Sequence, residues 1–201
     1  MVGVKRGSRL RGDRQIRSRV VIIALALIAV LVPATVAAHG FGTSASPAHY
    51  IANTGNITHG SSETNSAHRA ALQDHYLWEM EIEYEYKTAL SAAQTSATTA
   101  YLYWFVTPLD AGADAACVAY QNQSHNPPIC ERARVRHREQ TILTASEDSK
   151  LQGVCHEIGH TLGFSHGGPA TGCMGGGTPN RGVTSQHEID HINLCYGMYL
   201  C

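Results

Sequence analysis

The longest unbroken apolar run, Val20 to Val32, is preceded by nineteen residues dense in arginine and followed at once by Pro33. Thirteen helical residues span roughly 20 Å, short of the ~30 Å hydrocarbon core of a bilayer. Val36-Ala37-Ala38 then supplies small residues for cleavage, so residues 1–38 read as a signal peptide; an uncleaved anchor, extended through Ala38, is the competing reading. Residues 39–65 are rich in Gly, Ser, Thr, Asn and His with no periodic apolar face, which predicts an irregular extension. Residues 66–86 satisfy two patterns. Trp78 to Tyr86 alternates as a strand would, while Ala67, Ala71, Trp78 and Ile82 share a helical stripe among strong helix formers. A long helix is the preferred expectation, with Thr88 to Thr99 as its connection. Tyr101 to Val106, ending at Pro108, is the best buried strand, and Arg134–His137 and Thr141–Leu143 read as further strands. Ser149–Gln152 leads into a second helix, and Ser185-x-x-Glu188 is a capping box opening the last one.

Removing the leader changes the charge. The whole chain has 15 basic and 16 acidic residues; seven of the basic and one of the acidic lie in residues 1–38, leaving eight against fifteen, about −7. Such a chain lacks the basic surface that nucleic acid requires. Arg132, Arg134, Arg136 and Arg138 do alternate along a strand, and they read as a solvated sheet face. The 163 residues that remain suffice for one core, and residues 66–201 read as one domain. Six cysteines in an exported chain imply three disulfides. Their order suggests Cys117–Cys130, Cys155–Cys173 and Cys195–Cys201 among fifteen pairings.

The densest chemistry lies in His156-Glu157-Ile158-Gly159-His160-Thr161-Leu162-Gly163-Phe164-Ser165-His166. Residues four apart share one helical face, so His156 and His160 can present imidazoles to one ion, and Glu157, about 100° round from His156, can reach a water held there. A third ligand ten residues on would lie roughly 15 Å down a straight helix. The chain must double back, and Gly163 permits it by taking the left-handed conformation. His166 then returns as the third ligand. Three histidines leave the fourth position of a Zn²⁺ open, the mark of a catalytic site. A shorter copy, His187-Glu188-Ile189-Asp190-His191, lacks both the glycine and a third histidine and reads as a surface helix. His39, His49 and His59 share no helical face, so a second metal site is not expected there.

These eleven residues, with Met174 eight positions past His166 in Thr171–Gly177, resemble the metzincin clan of zinc metallopeptidases. The neighbourhood Thr184–Asn193 is similar to the last helix of small secreted bacterial metzincins related to matrixins and snapalysins. The resemblance is specific over residues 154–194. It implies an α+β zincin fold: a mixed, twisted sheet with a long N-terminal helix, an active-site helix and a C-terminal helix. It also implies one catalytic zinc on His156, His160 and His166, Glu157 as general base, and Met174 as an apolar floor. An acidic side chain of the last helix, Glu188 or Asp190, would brace that turn. A Cys155–Cys173 bridge would tie the metal's wall to its floor.

Departures from the clan carry expectations too. Gly176 stands where astacins and serralysins have a ligand tyrosine, the Pro-x-Tyr wall of matrixins is missing, and His166 replaces the aspartate of snapalysins. No cysteine-switch segment precedes Cys117. The expected protein is a secreted, monomeric zinc endopeptidase acting on protein or peptide substrates, with no calcium indicated and membrane contact only through its leader. The rival is a zinc-stabilised binding protein without turnover, against which an intact Glu157 argues.

Overall fold

The computed structural model describes residues 50–108, 113–125, 127–166, 172–175 and 181–198; residues 1–38, expected to form a signal peptide, residues 39–49 with His39 and His49, Gly176 and Cys201 lie outside the described residues. The strands are β1 (Ile51–Ala52), β2 (Asn56–Ser61), β3 (Ser91–Gln94), β4 (Leu102–Thr107), β5 (Asp114–Asn122) and β6 (Ile129–Arg138). The α-helices are α1 (Ser66–Trp78), α2 (Glu139–Thr144), α3 (Glu147–Thr161) and α4 (Gln186–Ile192). No helix among the described residues is long and apolar enough to cross a membrane.

Five strands run in the parallel order β1-β6-β4-β2-β3, and β5 pairs antiparallel along β6. The fold is therefore α+β with a mostly parallel sheet, in an order that differs from that of a typical metzincin sheet. Period-two alternation decides its faces. In β6, Ala133, Val135 and His137 are buried while Arg132, Arg134, Arg136 and Arg138 are half-buried on the opposite face. Arg132 stacks over Tyr103 at 4.6 Å, and Arg136 grips Asp114 with bonds of 3.0 and 2.8 Å.

Asn65 opens α1 by accepting from Ala67 N (2.9 Å) and His68 N (3.3 Å). The stripe expected to face the core faces solvent instead: Ala67 is exposed, and Trp78 and Ile82 are 51% and 38% exposed. The core stripe is His68, Leu72, Tyr76, Met80 and Tyr84, every fourth residue. On an α-helix such a row drifts by about 40° per step. Beyond Trp78 the helix widens, with Tyr86 N–H bonding Glu81 O at 3.1 Å, and the wider turn swings Met80 and Tyr84 back to the core side. Tyr76 lies flat on Trp104, centroids 4.8 Å apart.

Four expectations are corrected. Residues 50–65 are no irregular extension, because β1 and β2 join the sheet, β2 burying Ile57 and His59 on one face. Within the Thr88–Thr99 connection, β3 pairs with β2. Thr141–Leu143 belongs to a fourth helix, α2, in which Ile142 is buried and Leu143 is 56% exposed, so no alternating face exists for a strand. The fourth is the copy at 187–191, which is not a surface helix: α4 buries Glu188, His191 and Ile192.

Candidate functional site

Helix α3 carries two of the three histidines. Ser146 caps it by accepting from Ser149 N at 3.3 Å, with Glu147 and Asp148 against the positive end of its dipole. Its exit is a tight reversal. Gly163 has φ 109°, Gly163 N–H bonds His160 O (3.1 Å), and Phe164 N–H bonds Gly159 O (3.0 Å). The reversal returns His166 to the helix face. Three phenols hold the helix backbone from outside: Tyr84 donates to Cys155 O (2.8 Å), Tyr101 to Thr161 O (2.6 Å) and Tyr196 to Leu162 O (2.7 Å).

The Nε2 atoms of His156, His160 and His166 form a triangle with every side 3.1 Å. His156 Nδ1 bonds Cys173 O (2.9 Å) and His160 Nδ1 bonds Phe164 O (2.7 Å). A carbonyl only accepts, so each Nδ1 carries the proton and the facing Nε2 atoms of these two rings are lone-pair bases. Bases aimed at one another repel unless a cation lies among them. A tetrahedral Zn²⁺ with bonds of about 2.0–2.1 Å has ligand separations of roughly 3.3 Å, so the triangle fits that ion. The Nδ1 bonds are the outer support that fixes ligand orientation.

Beside this triangle a cavity of about 210 Å³ is lined by Tyr50, Asp114, Glu157, His160, Ser165 and His166. Glu157 is 6% exposed, and its Oε2 has no hydrogen-bond partner among the described residues. Burial, with Asp114 adding to it, pushes its carboxyl up to about 8. Burial also raises the Tyr50 hydroxyl above its ordinary range, with smaller contributions from Tyr120 and Glu157.

Met174 is buried under α3, where a side chain on Gly159 would collide with its sulfur. The disulfide Cys155–Cys173 joins helix and turn, with Cα atoms 5.6 Å apart. Between Glu188 and Asp190, Glu188 is the brace: it accepts from Met174 N (2.8 Å), Cys173 N (3.2 Å) and Ser185 N (2.6 Å). Asp190 is exposed and bonds Gln186. The bridge Cys117–Cys130 ties β5 to β6, whereas Cys201, assigned to Cys195, is not among the described residues.

His59 lies in the core, not near a ligand, and burial lowers it to about 4. Among the described residues one other trio of ligand atoms meets, Glu79 with Cys155 and Cys173, but both sulfurs are in the disulfide. A larger cavity of about 530 Å³ lies against Trp78, Leu151 and Val183. Three carboxylates of its lining are already engaged, Glu147 with His75 and Lys150, Asp148 with Arg181, and Glu83 with Lys87. Sequence reasoning missed Tyr50, Asp114 and Ser165. Asp114 had a faint signal in the paired strand beside the arginine ladder; Tyr50, over a hundred positions from Glu157, had none. Compared with protein-family models and with curated proteins, the chain matches none.

Proposed function

We propose that this protein is an exported, monomeric zinc-dependent endopeptidase of metzincin type, acting on protein or peptide chains. The observation that carries the reading is the triangle of Nε2 atoms, 3.1 Å on every side, next to a buried carboxylate whose Oε2 has no partner among the described residues. A binding protein has no use for that carboxylate, which costs free energy in burial and contributes no internal hydrogen bond at Oε2.

His156, His160 and His166 would hold one Zn²⁺, which when bound supplies Lewis acidity to the scissile carbonyl and to water. Glu157 takes the proton of the attacking water and passes it to the leaving nitrogen. Met174 closes the underside of the centre, and Glu188 holds the turn that carries it. A substrate adds to the edge of β5 that no described strand pairs, where the N-terminal residues Asp114 and Ala115 line the cavity. Backbone pairing of this kind tolerates many sequences.

The test is hydrolysis of casein and gelatin by purified protein, with chelator and with zinc restored. Cleavage that chelator abolishes and zinc recovers is the expected result. A protein that binds one zinc and cleaves nothing would defeat the reading in favour of a binding role.

A further inference from the structure

Five tyrosines are buried among the described residues, and four have a partner for the hydroxyl. Tyr76 bonds His137 Nε2 (2.7 Å), and Tyr84, Tyr101 and Tyr196 donate to carbonyls of Cys155, Thr161 and Leu162. Tyr50 is the exception. It is 3% exposed, and its Oη has no hydrogen-bond partner among the described residues. Buried hydroxyls are ordinarily paired, and an orphan points to something the protein itself does not supply.

Its place says what that is. The chain at Tyr50 is fixed by the bond from Ile51 N to Pro128 O (2.8 Å), and the ring stands edge-on to Tyr120 with centroids 6.4 Å apart. Tyr50 lines the same cavity as Glu157, His160 and His166. Two further orphaned atoms belong to that cavity, Glu157 Oε2 and Ser165 Oγ. Of the polar groups there, Glu157 is already given the proton of the water, the Nε2 atoms face one another, and Asp114 is taken by Arg136. Among the described lining residues, the unpartnered hydroxyls are those of Tyr50 and Ser165. A phenol is the more acidic of the two hydroxyls and makes the stronger bond to an oxygen gaining charge.

Resting on the peptidase reading above, we propose that the Tyr50 hydroxyl donates a hydrogen bond to the scissile carbonyl oxygen as that oxygen becomes negative, making Tyr50 a catalytic residue. No bond to Tyr50 forms or breaks. It keeps its proton throughout, and the proton in motion is the one Glu157 carries.

Tyr50→Phe removes that hydroxyl alone. Removing one such donor should lower kcat on a fluorogenic peptide roughly 100-fold with KM within about twofold. Affinity for a phosphinate peptide, which mimics the charged tetrahedral state, should fall by a similar factor. Bound zinc and melting temperature should match the parent. A kcat within about threefold of the parent with zinc in place overturns the proposal. So does a marked fall in melting temperature, which would show that the hydroxyl is bonded within the protein. If the parent protein itself binds zinc but cleaves no peptide, the peptidase reading fails and this inference fails with it; in every other case the two are judged separately.

Discussion

The chain contains the pattern His-Glu-x-x-His twice, and the two copies differ in almost everything except the spacing. In both, the paired rings lie side by side on a helix, with centroids 4.6 Å apart for His156 and His160 and 4.4 Å for His187 and His191. Ring proximity is therefore what any helix provides at that spacing. The copies part at the glutamate. Glu157 Oε2 has no partner among the described residues, whereas Glu188 accepts three backbone N–H groups and completes a capping box with Ser185. One glutamate keeps an unpartnered oxygen among the described residues; the other is fully consumed as a bracket. The copies also interlock, since the bracket of the second holds the turn beneath the first. The pentapeptide by itself thus says little, and the bonds left unmade say more.

Substitutions at matching positions test this contrast. The largest effect is expected from His160→Ala, which should abolish zinc binding measured by metal analysis, and activity with it, whereas His191→Ala should retain one zinc per chain. Crossed behaviour is expected of the glutamates. Glu157→Gln should keep zinc and fold stability yet lose hydrolysis by roughly 10³-fold or more. Glu188→Gln should cost on the order of 2–4 kcal/mol in urea unfolding, because an amide cannot satisfy three backbone donors. If Glu188→Gln proved as stable as the parent, the bracket role would be refuted.

A third kind of histidine sharpens the comparison further. His59 and His137 are neutral core residues, each lowered by burial to about 4. Between pH ~6.5 and ~4 the unfolded chain takes up protons that the folded one refuses. Their stabilising contribution is complete above pH ~6.5 and is lost as pH falls towards ~4. Metal-free protein should therefore lose on the order of a few kcal/mol across that window, read as a falling urea midpoint, and His59→Gln should flatten part of the slope. The smallest effect belongs to His187→Ala, expected to stay within about 0.5 kcal/mol of the parent in the same assay. A zinc loss there would overturn the distinction between the copies.

The candidate centre was legible because it is local. Its ligand spacing, the glycine and the capping box are all encoded within a few residues of where they act. The strand framework was less so. In β2 one of the two buried side chains is a histidine, and β5 carries alanines with its larger residues exposed, Val118 at 43% and Tyr120 at 37%. Neither segment shows the apolar alternation that announces a strand. Both are held by neighbours instead, β2 between β3 and β4, and β5 along β6 with the Cys117–Cys130 bridge. The exposed stripe of α1 misled for a related reason: the core side went to Leu72 and Met80 together with His68, Tyr76 and Tyr84, whose polar ends found partners there. The choice between Glu188 and Asp190 required knowing which one faces the turn, information that depends on tertiary packing.

The phenols that finish α3 impose an order of events on the molecule. The helix's last carbonyls are received by Tyr101, sixty positions upstream of Thr161, and by Tyr196, thirty-four positions downstream of Leu162. The end of α3 thus depends on segments from both sides of it in sequence, and the proposed centre needs both to be held in register. For the exported hydrolase proposed above, that dependence would restrain the incomplete chain without a separate inhibitor.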